Sequence, residues 1–304
     1  MKVFVTGVAG QLGHDVMNEL IRRGHAAVGS DLAPEYAGVA DGSAVTAAPY
    51  VSLDITDASA VQRVLTDVRP DAVIHCAAWT AVDAAEAPEN ADKVRAINAD
   101  GTAHIVQMCR ALGCKMMYIS TDYVFDGQGT TPWAPDCTDY RPLNVYGQTK
   151  LAGEQAVTDA LDRYFIVRIA WVFGRSGKNF IKTMLQLGQT HDTLRVVCDQ
   201  IGTPTYTFDL ARLLVDMIET ERYGRYHATN EGGYISWYDF ACEIFRQAGN
   251  TKVRVCPVTT AEYGASKAAR PFNSRLDKRK LTDCGFVPLP DWRDALRRYL
   301  QEIE

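Results

Sequence analysis

Tyr146 and Lys150 stand at i and i+4 in LNVYGQTKLAGE, Leu143 to Glu154, a spacing that puts both side chains on one face of a helix. By itself the spacing leaves open whether they do chemistry or are one packed aromatic and one surface charge. A second group of residues points to a nucleotide. TGVAGQLG places Gly7, Gly10 and Gly13 where a first strand turns into a helix. Glycines there permit a tight turn and a close approach of the backbone to a pyrophosphate. The helix N-terminus, with Gln11 and Leu12 in its first turn, supplies N–H groups and a positive dipole end. The spacing is GxxGxxG rather than GxGxxG, so a purely structural turn stays open. Asp31 closes the next strand, AAVGSD, where a carboxylate can accept hydrogen bonds from an adenosine ribose. The same charge repels a 2′-phosphate and favours NADH over NADPH, although Ser30 and its neighbours could reorganise.

These residues need a frame. Short β-branched runs alternate with helical patterns: KVFVT (Lys2 to Thr6), AAVGSD, YVSLD ending at Asp54, DAVIHCAA (Asp71 to Ala78), KMMYIST (Lys115 to Thr121) and YFIVRIAWVF (Tyr164 to Phe173). In the first helical segment Leu12, Val16 and Leu20 recur at four-residue steps, and further helices are expected over 57–67 and 90–112. Strands apolar on both faces and separated by helices indicate an α/β fold with a parallel sheet covered on both sides. Ligands of such sheets lie at the carboxyl ends of the strands. The rim should therefore carry Asp54 and Ile55 after the third strand, Ala77, Ala78 and Thr80 after the fourth, and Thr121 and Asp122 after the fifth. Asp54 serves equally as the N-cap of a helix through ITDASA, and Ala77 and Ala78 could simply pack.

After about Phe173 the rhythm loosens. A helix is expected from about Thr207, and another in DWRDALRRYLQEIE with Asp291 as its N-cap. The chain divides into a dinucleotide-binding domain over 1–175 and 193–230 and a smaller lobe over 176–192 and 231–304.

Composition excludes several classes. The 304 residues are 47% hydrophobic, ample for a buried core, and the net charge of -5 offers no basic field to a phosphate backbone, so no nucleic acid partner is expected. The eight cysteines form no CxxC pair, which fits a reduced, cytoplasmic setting. MKVFVTGVAGQLG lacks the pattern of a signal peptide, and no segment approaches the about 18 apolar residues of a membrane span. The six histidines are too dispersed for a metal site, and His75 reads as a packed strand residue.

In order along the chain, TGVAGQLG, HCAAWTAVDAAE, INADGTAHI, YISTDYVFDG and NVYGQTKLAGE resemble the extended short-chain dehydrogenase/reductase family. RIAWVF, DQIGTPT and RPFNSRL carry the resemblance nearly to the C-terminus. It implies a Rossmann-like doubly wound parallel sheet with a smaller C-terminal substrate-binding lobe. It also implies NADH or NADPH as cofactor and reduction of the ketone of a dTDP-linked keto-sugar by Thr121, Tyr146 and Lys150. A phenol of ordinary pKa near 10 is a poor proton donor at neutral pH. Lys150 and the charge of oxidised nicotinamide would favour phenolate, while Thr121 would hydrogen-bond the carbonyl oxygen and Lys150 the nicotinamide ribose. Asn98 matches a supporting asparagine.

Where the family's sugar-nucleotide dehydratases carry a glutamate base two places after the threonine, this chain has Tyr123. Dehydration is therefore not expected. Asp122, Tyr123 and Trp171 become substrate contacts, and Arg270 a partner for the diphosphate. Some reductases of this type use magnesium between subunits; no carboxylate cage is recognisable here, so the sequence gives a magnesium site no support and no metal ligand is assigned, while a homodimer is compatible. Two other readings remain: an epimerase acting on the same ketone, and a binding subunit like that regulating methionine adenosyltransferase.

Overall fold

The computed structural model describes residues 1–264 and 266–303. Strands β1 (Lys2–Thr6), β2 (Ala26–Asp31), β3 (Tyr50–Ser52), β4 (Ala72–His75), β5 (Lys115–Thr121), β6 (Tyr164–Ile169) and β7 (Gly224–His227) form a seven-stranded sheet in the order β3-β2-β1-β4-β5-β6-β7. Every pairing in it is parallel. Both faces are buried along the central strands, which is why β1, β4, β5 and β6 read as nearly continuous apolar runs. Val3 and Val5 of β1 join Ile74, Met117 and Val167 under Leu210 and Leu214 of the helix Thr207–Ile218. Phe4, between them, points the other way, among Val73, Met116, Ile166, Val61, Leu65 and Ile105. The strand order reverses at β1, whose neighbours are β2 and β4. A crevice opens there, at the carboxyl ends of the strands.

Several expectations need correction, and the strands expected to reach Asp54 and Ala78 end earlier, at Ser52 and His75. The strand expected through Phe173 ends at Ile169. Trp171 takes φ +51, a left-handed backbone that bulky residues rarely adopt, and Val172–Phe173 then pairs with Thr205–Tyr206 outside the main sheet. The helix expected over 90–112 is interrupted by a π turn, Ala96–Asp100. Asn98 in that turn accepts from Trp79 N at 2.8 Å and donates to Trp79 O at 3.2 Å, which pins the irregular turn to the sheet rim. Finally, the helix Ala58–Val68 is capped by Asp57, whose carboxylate accepts from Ala60 N. Asp54 instead binds the N–H and hydroxyl of Thr56 in a local turn.

Beyond the sheet, Thr193–Val197 and Arg254–Val258 pair in parallel. The helices Phe180–Leu187, Trp237–Gln247 and Trp292–Ile303 enclose a separate core that includes Phe240, Ile244, Trp292 and Leu296. Asp291 accepts from Arg293 N at 2.7 Å at the start of the last helix, as its sequence suggested.

Candidate active site

The glycine turn forms one wall of the site. Gly7 has φ +73, and a Cβ there would lie 2.7 Å from Ala77 N, so this position requires glycine both for its conformation and for the approach of the β4 rim. A Cβ on Gly13 would collide with the Gly7 carbonyl, so the helix Gln11–Arg22 can sit against the turn only with glycine there. Asp31 closes β2 beside this turn, accepting from Ala9 N at 3.0 Å and from Leu32 N at 2.8 Å. Under the rim, Ala77 N donates to Thr6 Oγ1 (3.1 Å) and Thr6 Oγ1 lies 2.7 Å from His75 Nδ1. His75 Nε2 lies 3.2 Å from Thr102 Oγ1, which donates to Asn98 O. Burial pushes His75 down to about 3, so it is neutral and bridges Thr6 and Thr102 inside the fold.

Tyr146 and Lys150 lie on the helix Val145–Ala160, capped by Asn144, whose side chain accepts from Gly147 N. A Cβ on Gly147 would strike the Tyr123 carbonyl, so glycine lets this helix start hard against the end of β5. Lys150 Nζ donates to Ile119 O at 2.7 Å and lies 4.1 Å from the Tyr118 ring centre. Burial pushes Lys150 down to about 7, opposed by the nearby Glu154 carboxylate. Burial also drives the Tyr146 phenol well above its ordinary value, and the Thr121 hydroxyl acts in the opposite direction. Thr121 Oγ1 donates to Asp122 Oδ1 at 3.0 Å, and burial pushes Asp122 up to about 6.

A cavity of about 900 Å³ runs across these elements. It is lined by Gly7, Gly10, Gln11, Leu12 and Gly13, by Asp31, Asp54 and Ile55, by Ala77, Ala78 and Thr80, and by Thr121, Asp122, Tyr123, Tyr146, Lys150 and Trp171. The Tyr123 ring stands edge-on to Tyr146, with centroids 5.5 Å apart. Trp171 stacks on Trp237 at 3.7 Å. Arg270 is set further out: its Nη1 donates to Tyr123 Oη at 3.3 Å and its Nη2 to Asp83 at 2.7 Å.

Over residues 1–304 the sequence matches the family described as RmlD substrate binding domain. The chain belongs to this family. It is 42% identical over 298 residues to a dTDP-4-dehydrorhamnose reductase of Streptomyces griseus, covering 96% of this chain and 90% of that protein. A dTDP-4-keto-6-deoxy-D-glucose reductase of Streptomyces niveus is 38% identical, covering 96% and 94% of the two chains. Among solved structures, dTDP-4-dehydrorhamnose reductase from Bacillus anthracis, in complex with NADP, superposes with a TM-score of 0.87 at 39% identity, covering 99% of each chain.

Within this family member, sequence reasoning missed the support beneath the site. Arg168, inside the apolar strand β6, forms a buried ion pair with Glu154, which also accepts from the Ser120 hydroxyl. A charged residue in an otherwise apolar strand was the available signal, because such a residue needs a partner. Lys93 and Thr56 also line the cavity. Among the described residues no group of three or more His, Cys, Asp or Glu side chains is placed to hold a metal ion. No described helix is long and apolar enough to cross a membrane.

Proposed function

We propose that the protein reduces the C4 ketone of dTDP-4-dehydro-β-L-rhamnose to give dTDP-L-rhamnose, a step of nucleotide-sugar and cell-surface polysaccharide biosynthesis. The observation that carries this reading is that Thr121, Tyr146 and Lys150 line one cavity, with Tyr123 against Tyr146 where a dehydratase would need a carboxylate base. The reductases of Streptomyces griseus and Bacillus anthracis support it by similarity over nearly their full lengths.

The cradle at Gly7, Gly10 and Gly13 fits a dinucleotide, since a Cβ on Gly10 would meet only the Gly7 carbonyl oxygen and otherwise open space. Gln11, Leu12 and Gly13 would hold the pyrophosphate through the helix N-terminus, and Asp31 the adenosine ribose, favouring NADH. Asp54, Ile55, Ala77, Ala78 and Thr80 line the rest of the cofactor's path. When bound, the nicotinamide supplies the hydride.

Tyr146 gives its proton to the ketone oxygen, and Thr121 hydrogen-bonds the same oxygen as charge develops on it. Burial alone would make the phenol a weaker acid, so the Lys150 ammonium is needed to offset it. With one of its three N–H donors on Ile119 O, Lys150 keeps others for the nicotinamide ribose. Asp122, Tyr123 and Trp171 contact the sugar, and Arg270, from the smaller lobe over 176–192 and 231–304, meets the diphosphate. The eight cysteines are all free, which supports a reducing, cytoplasmic setting.

The direct test incubates purified protein with dTDP-4-dehydrorhamnose and each reduced cofactor in turn, following nicotinamide absorbance. Oxidation of at least one is expected. No oxidation with either, where a known reductase works, would sink the reading.

A further inference from the structure

We propose that Asp83 is a positioning residue for the sugar-nucleotide: it holds the strap 266–270 against the rim of the cavity and fixes the guanidinium plane of Arg270 beside Tyr123. The inference rests on the ketone-reduction reading above.

Asp83 lies on the short helix Val82–Ala85, just past the rim residue Thr80. Its Oδ1 accepts from Ser266 Oγ at 3.1 Å and from Ala268 N at 3.0 Å, and its Oδ2 from Arg270 Nη2 at 2.7 Å. One carboxylate thus holds three alternate residues of the strap. Arg270 is tied at two more points, Nε donating to Ser266 Oγ at 3.0 Å and Nη1 to Tyr123 Oη at 3.3 Å. On its other edge the strap is tied to the machinery itself. Asn144 Nδ2 donates to Ala269 O at 2.8 Å while Asn144 Oδ1 caps the helix that bears Tyr146 and Lys150. Asn144 is only 2% exposed, so this tie is part of the interior.

Stability does not explain the Asp83 network. The side chains of Asp83 and Arg270 are 44% and 30% exposed, and exposed ion pairs contribute little. Orientation does explain it. A guanidinium has five N–H donors in one rigid fork; three of them are held by Asp83, Ser266 and Tyr123, and the plane in which the other two can meet an anion is thereby set.

The two views of Asp83 predict opposite signs. A carboxylate that merely sat beside Arg270 would repel a diphosphate, so removing its charge would tighten substrate binding. A positioning carboxylate, once removed, frees the fork and weakens binding. Asp83→Asn is therefore expected to raise the KM for the dTDP-linked keto-sugar about tenfold, the effect of losing a hydrogen bond to a charged group, with the KM for the cofactor unmoved. Combined with Arg270→Ala, it should add nothing to the effect of Arg270→Ala alone. Arg270→Lys keeps the charge without the fork and should raise the same KM, which provides a second reading if Asp83→Asn folds poorly.

An unchanged or lowered KM in Asp83→Asn, a KM in Arg270→Lys equal to wild type, or additive effects in the double variant would each overturn the proposal. Absence of turnover in the wild type removes the ketone-reduction reading and this one with it. Wild-type turnover with an unaltered Asp83→Asn removes the positioning role alone.

Discussion

Arg168 and Glu154 meet as a fork on a carboxylate, Nη2 to Oε2 at 2.7 Å and Nε to Oε1 at 2.8 Å, with side chains 0% and 2% exposed. The pair joins β6 to the helix that carries Tyr146. Glu154 also takes the hydroxyl of Ser120, the residue before Thr121, at 2.5 Å. The remaining three donors of Arg168 reach Pro135 O at 3.0 Å, Tyr140 Oη at 2.9 Å and His227 Nε2 at 3.4 Å. The reactive face is therefore held from beneath by a fully bonded buried charge pair.

Removing one partner of such a pair leaves an uncompensated buried charge, which costs about 3–5 kcal/mol. Glu154→Ala should lose stability on that scale in equilibrium denaturation. The double change Glu154→Leu with Arg168→Met should recover most of it, because no buried charge remains. A single variant within about 1 kcal/mol of wild type would contradict the account.

Lys150 provides a pH signature. Burial brings it down to about 7, so the ammonium is present below that value and lost above it. If the charge assists Tyr146, kcat/KM for the cofactor, which reports the free enzyme, falls as pH rises through about 7. Lys150→Met should remove that limb together with most of the activity. Stability moves the other way: the unfolded lysine holds its proton to higher pH, so the folded state gains as pH rises from about 7 towards the ordinary lysine value. A wild-type profile flat across this range would count against the charged role.

Tyr146→Phe keeps the ring against Tyr123 and removes only the hydroxyl that would give the proton. Turnover should drop by about 10²- to 10⁴-fold, the usual contribution of a general acid. Cofactor affinity, followed by fluorescence titration, should hardly change. Normal turnover in this variant would mean that another group protonates the ketone.

Asp31 presents its carboxylate at the turn where the adenosine ribose is proposed to lie. The ratio of kcat/KM with NADH to that with NADPH should exceed one in the wild type. It should fall about tenfold in Asp31→Ser, through loss of one close repulsion in a partly desolvated site. A ratio that the substitution leaves unchanged would separate Asp31 from cofactor choice.

Much of the frame was legible because it is local. KVFVT, AAVGSD and KMMYIST match β1, β2 and β5 to the residue, since apolar runs bounded by turn residues specify buried parallel strands. The break at Trp171 was not legible. It depends on Thr205 N donating to Trp171 O at 3.1 Å and on the stack with Trp237, neither of which leaves a trace in RIAWVF. The rim residues fell together in one cavity because parallel topology delivers strand ends to one edge. Arg270 did not join them, because its fork is engaged by Asp83, a residue 187 positions away.

Sequence alone determined which residue types stand where, and through short-range propensities the strands, the glycine turn and the helical face shared by Tyr146 and Lys150. Tertiary structure alone decided their chemical state: a neutral His75, a Lys150 near 7, a paired Arg168 and a tethered Arg270. The reason is physical. Helix and strand patterns depend on neighbours along the chain, whereas desolvation and ion pairing depend on what packing brings within a few ångströms, and those partners come from distant parts of the sequence.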